Sequence, residues 1–147
     1  MSLRPIPADA WLVMGNPMWV TLPASSSGGQ LTIMESAAAA GVGPPLHVHA
    51  NEDEAFHILA GRFRARLGDQ VREFGPGESV FLPRGVPHTY RCLGPETGRM
   101  LVLITPSGFE GFFREWHETP LRMPEDEAAI ADRMARYSVR FVGPPLE

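Results

Sequence analysis

Two histidines, His47 and His49, are separated by one residue, in a stretch that glycine and proline bound on both sides. This pair constrains the fold more than any other feature. Alternate side chains point to one face of a β-strand, whereas residues two apart on a helix diverge. The intervening Val48 is β-branched and favours a strand. The pair therefore predicts a strand that directs both imidazoles at one point, inside a fold built from strands and turns.

A carboxylate and a third imidazole accompany the pair. Glu54 and His88 each begin a run rich in apolar residues, and each run predicts another strand. Three neutral imidazoles and a carboxylate suit a divalent transition metal and leave coordination positions open for water or substrate. We predict a metal centre formed by His47, His49, Glu54 and His88, with one ion per chain. The donor set accepts iron, manganese, nickel, cobalt, copper or zinc, and does not choose among them.

The alternative is a set of histidines without a ligand role, beside an acidic turn that water solvates. Glu52, Asp53 and Glu54 are consecutive, and all three are close enough to His49 in sequence to compete as ligand. Glu54 shares a strand face with apolar Phe56, and a carboxylate is tolerated inside only if it is paired or bound to metal. We expect Glu54 to be the ligand, Glu52 and Asp53 to be solvated, and Asp53 to be the competitor.

The same residues resemble the two sequence motifs of the cupin family. The first motif is matched by Gly41, His47, His49, Glu54 and Gly61, and the second by Gly77, Pro83, Gly85 and His88. In many cupins the histidines and the glutamate of these motifs bind a metal ion, so the resemblance implies the same four ligands. The last position of the second motif, usually asparagine, is Cys92 here. We expect Cys92 to be structural, because it lies about 13 Å along a strand from His88.

Turn signals recur along the whole chain, which has 15 glycines and 15 prolines in 147 residues. Between them about nine or ten short runs have strand character, which predicts an all-β sandwich or barrel. The cupin resemblance implies a double-stranded β-helix, also called a jelly roll. We see no linker between two domains. We predict one domain, 1–147, with a barrel core at about 12–106 and a C-terminal helical extension at about 107–147.

The extension has two helical patterns. Ser107 and Glu110 have the spacing of a capping box, and the aromatic residues that follow repeat on one helical face. That face is formed by Phe109, Phe112, Phe113 and Trp116. A second helix is predicted from about Pro124 to Tyr137, with acidic residues in its first turn and arginines near its end. We expect one or both helices to pack outside the barrel; a lid over its mouth is the alternative.

Strand parity also predicts what faces the barrel interior. The residues expected to form an apolar pocket for a planar ligand are Met34, Phe56, Ile58 and Tyr90. In the run 62–67 arginine and apolar side chains alternate, which predicts a strand with one buried and one solvated face. The alternative for Arg64 is that it points inward and meets an acidic substrate.

A metal held by these ligands can act as a Lewis acid and a template for a chelating substrate. The complete motif in a small single-domain chain is similar to the quercetin-dioxygenase-like group of cupins. That resemblance implies a metal-dependent dioxygenase for a small aromatic, flavonol-like or polyketide-like compound, with Glu54 also accepting a substrate proton. The cupin barrel hosts unrelated activities. A non-redox isomerase or cyclase and a non-catalytic small-molecule binding protein are therefore the alternatives.

Charge and composition restrict the partners. The formal net charge of -4 and the isoelectric point near 5.7 argue against a nucleic-acid partner. No apolar run approaches the roughly 18 residues that span a membrane, and no secretory signal is evident. A single cysteine fits a reducing, cytoplasmic location. The expected partner is a small-molecule substrate, and a homodimer is expected to form through the N-terminal segment that contains Trp11 and Trp19.

Overall fold

Two antiparallel sheets face each other in the structure, a computed structural model that describes residues 2–147. The strands are β1 (Trp11–Val13), β2 (Asn16–Leu22), β3 (Thr32–Ala38), β4 (Pro45–His49), β5 (Asp53–Ala60), β6 (Phe63–Leu67), β7 (Gln70–Phe74), β8 (Ser79–Leu82), β9 (His88–Cys92), β10 (Gly98–Thr105) and β11 (Val139–Pro145). One sheet has the order β1-β2-β3-β10-β5-β8 and the other β11-β4-β9-β6-β7. This is the double-stranded β-helix that the cupin resemblance implies.

The strand β10 lies at the centre of the six-stranded sheet, between β3 and β5. Met100, Val102 and Ile104 on its inner face are buried in the core. Leu101 and Leu103 on its outer face are half-buried. The almost wholly apolar composition of this run thus corresponds to a central strand whose inner face is the better covered.

The strand β6 has the two-faced pattern expected of it. Phe63 and Ala65 are buried, whereas Arg64 lies on the outer face. The Arg64 guanidinium is 3.1 Å from the carboxylate of Glu73 on the neighbouring strand β7. Arg64 therefore belongs to the solvated face and does not point into the barrel.

Two helices, α1 (Glu110–Glu118) and α2 (Glu127–Arg136), follow the barrel strands. The helix α1 packs against β1 and α2 packs against β11, the strands at the open edges of the two sheets. The backbone N–H of Leu12 in β1 donates to Nδ1 of the exposed His117 at 3.0 Å. The two helices therefore close the side of the sandwich where the sheets do not meet.

The helix boundaries differ from those predicted. The helix α1 begins at Glu110, and no side chain among residues 2–147 caps its N-terminus. The hydroxyl of Ser107 lies 2.8 Å from the hydroxyl of Thr32 in β3. The Thr32 hydroxyl in turn donates a hydrogen bond to the Glu110 carboxylate at 2.7 Å. The predicted capping box is therefore wrong: Ser107 and one oxygen of Glu110 bond to Thr32, while the other oxygen of Glu110 accepts a hydrogen bond from the backbone N–H of Gly108 at 2.6 Å. The second helix begins at Glu127, three residues later than predicted.

The helices bond to each other through one carboxylate. Glu115 of α1 accepts two hydrogen bonds from Arg136 of α2, at 2.8 and 3.2 Å, and one from the hydroxyl of Tyr137 at 2.8 Å.

Within residues 2–147, no helix has the length and apolar character needed to cross a membrane.

Candidate metal centre and cavity

The four predicted ligands meet between the two sheets. His47 and His49 lie on β4, His88 is their neighbour on β9, and Glu54 reaches across from β5 in the opposite sheet. One donor atom from each of the four lies within 4.8 Å of all the others. Oε2 of Glu54 is 3.4 Å from Nε2 of His49 and 3.0 Å from Nε2 of His88. The period of two on β4 places both imidazoles on one face, as the sequence predicts.

The chemistry of these side chains fits a divalent transition-metal ion. Nδ1 of His88 is buried without a hydrogen-bond partner within residues 2–147, and the buried Nε2 atoms of His49 and His88 have only the nearby Glu54 carboxylate, without regular hydrogen-bond geometry. Buried polar atoms of this kind are costly unless a partner satisfies them. His47 Nδ1 lies 2.8 Å from the carbonyl oxygen of Pro45, which leaves Nε2 for the cluster. Three imidazoles and one carboxylate in this arrangement could hold such an ion.

Burial and neighbouring charges set the protonation of the cluster. Burial, together with the proximity of His88, lowers the pKa of His47 to about 4. Burial alone would raise the pKa of Glu54, but His49 and His88 lower it to about 2. At neutral pH the His47 imidazole is therefore neutral and the Glu54 carboxylate is ionised. These are the protonation states in which the two side chains bind a metal.

A cavity of about 330 Å³ extends from the cluster into the barrel. Its lining includes His47, His49, Glu54, Phe56 and Tyr90, so two of the four predicted pocket residues line it. Met34 and Ile58 do not; both are packed in the core, almost without exposure. Strand parity assigned Met34 and Ile58 to the correct inner face, but other side chains separate them from the cavity.

The aromatic face of α1, with Phe109 just before the helix, forms one wall of this cavity, which the sequence allowed only through the alternative of a lid. Phe109, Phe112, Phe113 and Trp116 all line it, and the Phe109 ring is 4.4 Å from the ring of His49 in an edge-to-face contact. The helices lie outside the sheets as expected, but α1 also covers the barrel interior. The available signal was the four-residue aromatic stripe, whose large apolar area needs to be buried.

Sequence comparison supports the assignment of the fold. Residues 34–104 match the sequence profile of the cupin domain family. This segment contains all four residues of the donor cluster. The chain contains a cupin domain.

Two curated relatives of this cupin are quercetin 2,3-dioxygenases. The protein from Aspergillus japonicus is 36% identical over 104 residues, which are 65% of this chain and 28% of that protein. The protein from Bacillus subtilis is 29% identical over 86 residues, 58% of this chain and 25% of that protein. The matches thus span about a quarter of each relative. Among solved structures, KdgF from Halomonas sp. has a TM-score of 0.59 at 18% identity, over 67% of this cupin and 84% of that chain.

Glu52 of this cupin corrects one expectation. It was predicted to be solvated, but only 7% of it is exposed and its Oε1 lies 3.2 Å from Nδ1 of His49. Asp53 lies outside the cluster as expected, but it is the half-buried first residue of β5 and pairs with Arg84, whose backbone N–H donates to Oδ1 at 2.8 Å. The tight turn after His49 brings Glu52 back to the ring, and this requires the turn geometry, which composition does not reveal.

Cys92 lies away from the donor cluster of this cupin. It is fully buried at the end of β9, opposite Phe63 of β6. A Cβ added at Gly98 would come within 2.9 Å of its Sγ and within 2.4 Å of Phe63. Cys92 therefore packs in the core, as expected of a structural residue.

Proposed function

We propose that this cupin is a metal-dependent dioxygenase that acts on a small aromatic, flavonol-like or polyketide-like compound. The observation that carries the proposal is the direct connection between the donor cluster and an aromatic-lined cavity of about 330 Å³. A cavity of this size accommodates a small organic ligand. The sequence similarity to two quercetin 2,3-dioxygenases supports the same substrate class.

A divalent ion bound by the three histidines and Glu54 would act as a Lewis acid that polarises the oxygen atoms of a chelating substrate. The chain provides the surroundings. Phe109 and Phe112 exclude water from the cavity, and Phe56 presents an apolar surface to a planar ring. Exclusion of water strengthens the electrostatic interactions within the site.

Glu54 is the proposed proton acceptor. Its carboxylate lines the cavity and is ionised at neutral pH, as the effect of the neighbouring histidines on its pKa requires. It therefore stands where the acidic hydroxyl of a chelating substrate would arrive. Tyr90 faces the same space, and burial raises its pKa to about 12, so that it remains a neutral phenol able to hydrogen-bond the ligand.

The proposed reaction transfers both atoms of O2 to the substrate, which is oxidised as O2 is reduced. No further reductant is required, because the substrate supplies the electrons. The test is O2 uptake by protein reconstituted separately with iron, manganese, nickel, cobalt or copper, using quercetin and other flavonols. Stoichiometric O2 uptake with substrate loss supports the proposal.

The experiment also separates the alternatives. Substrate conversion without O2 uptake would identify a non-redox isomerase or cyclase, and binding without conversion would identify a binding protein. The matched variants are Glu54→Gln, which should abolish turnover, and Asp53→Asn, which changes a half-buried carboxylate outside the cluster and should preserve it.

A further inference from the structure

The cavity runs diagonally across the inner face of the six-stranded sheet. Its lining begins with Glu54 on β5 and continues with Phe56 on the same strand and with Val102, the register partner of Phe56 on β10. The lining then reaches Ser36 on β3, which lies two residues after Met34, the register partner of Val102. Because β3 and β5 run in the same direction, Ser36 is offset from Glu54 by four residues along the strands. At 3.3 Å per residue this offset is about 13 Å.

Ser36 is a buried polar residue without a partner. Only 3% of it is exposed, and its Oγ makes no hydrogen bond within residues 2–147. Its register partners in the neighbouring strands are Met18 and Met100, which offer no good hydrogen-bonding group. A buried hydroxyl left unpaired destabilises the folded state, and Ser36 lines the cavity, so its hydroxyl is suited to a ligand.

The wall between the two ends is apolar. Phe56, Val102, Phe112 and Trp116 line the cavity without a charged group among them. The site therefore offers metal-directed donors and the Tyr90 phenol near one end, flat apolar surfaces in the middle and the buried, unpaired hydroxyl of Ser36 about 13 Å along the strands from Glu54.

We infer that Ser36 hydrogen-bonds a hydroxyl or carbonyl group at the end of the substrate remote from its metal-chelating group. This inference rests on the proposed function and specifies its substrate class: an elongated planar compound, polar at both ends. A compact chelator with one ring would bind at the metal end without reaching Ser36.

The test compares ligands that differ by one remote hydroxyl. Zinc-loaded protein is suitable, because zinc is not redox-active and the ligand is not consumed. Dissociation constants are measured for galangin, which lacks a hydroxyl on its pendant ring, and for kaempferol, which carries one. The variant is Ser36→Ala, and the matched control is Ser26→Ala, an exposed serine outside the cavity. Maltol serves as the one-ring chelator.

The wild type and the control should bind kaempferol about five- to tenfold more tightly than galangin, as one buried hydrogen bond provides. Ser36→Ala should lose this preference and should bind galangin and maltol as the wild type does. If the wild type binds both flavonols and Ser36→Ala keeps the wild-type ratio, the role of Ser36 is refuted while the proposed function stands. If the wild type binds maltol but neither flavonol, the proposed substrate class is refuted, and the role of Ser36 with it.

Discussion

Glu52 lies directly behind His49: its Oε1 is 3.2 Å from the Nδ1 of the imidazole whose Nε2 faces the donor cluster. A carboxylate in this position accepts the Nδ1 proton, fixes the tautomer and turns the other nitrogen toward the metal. Such outer carboxylates raise the basicity of the ligand. Glu52 is therefore a positioning residue for the predicted metal centre.

Glu52→Gln should lower the affinity for Zn²⁺ about tenfold, because the amide carries no charge and orients the imidazole less strongly. Competition with a chromogenic chelator measures the affinity without reference to turnover. Asp53→Asn is the matched control, since Asp53 pairs with Arg84 on the exposed side of the turn. Equal affinities in the two variants would show that Glu52 is not required.

Glu54→Gln and His88→Ala should each reduce the metal content far more than Glu52→Gln, because each removes a donor atom from the cluster. Elemental analysis of protein purified without added metal gives the content, and circular dichroism verifies the fold. If instead Asp53→Asn loses the metal and Glu54→Gln retains it, the assignment of the carboxylate ligand is wrong.

Phe112→Ala should lower the free energy of unfolding by about 3–5 kcal/mol, the range for removal of a buried phenylalanine side chain. Phe112 is buried between α1 and the barrel and contacts Trp116 and Tyr137. Urea denaturation measures the change. Phe81→Ala, which truncates an exposed ring on β8, should cost much less; an equal loss would contradict the packing of α1.

The contact between α1 and α2 should weaken in acid. Hydrogen bonds from Arg136 and Tyr137 hold the pKa of the Glu115 carboxyl below its usual value of 4.5. Its contribution to stability is therefore present above pH 4.5 and is lost as the pH falls through the lower pKa of the folded state. Calorimetry should show a lower Tm for Glu115→Gln than for the wild type at pH 7, with the difference vanishing in acid. If the difference in Tm persists in acid, the stabilisation by Glu115 comes from packing and not from its charge.

We also propose that the chain forms a homodimer through its N-terminal segment. Leu3, Ile6 and Leu12 are exposed apolar side chains in this segment. Light scattering at micromolar concentration should give twice the chain mass of 16.1 kDa, and Ile6→Asp should shift it toward the monomer. A monomer mass for the wild type would refute the proposal.

The sequence predicted the parts of this cupin that depend on local pattern. The spacing of His47 and His49 fixed the strand and its inner face, and the face shared with Phe56 selected Glu54. What the sequence did not predict depends on long-range geometry. Strand parity placed Ile58 on the inner face but could not show that it is buried in the core instead of lining the cavity. The spacing of Ser107 and Glu110 did not reveal that both residues bond to β3.

The helix α1 lies outside the segment that matches the cupin profile, which ends at residue 104, yet residues 109–116 form a wall of the cavity. Part of the cavity wall is thus encoded outside the segment that carries the donor atoms. Substitutions on the inward face of α1 can reshape the space beside the ion without displacing a single donor atom. Within one barrel, new specificities can therefore arise by remodelling this appended helix alone.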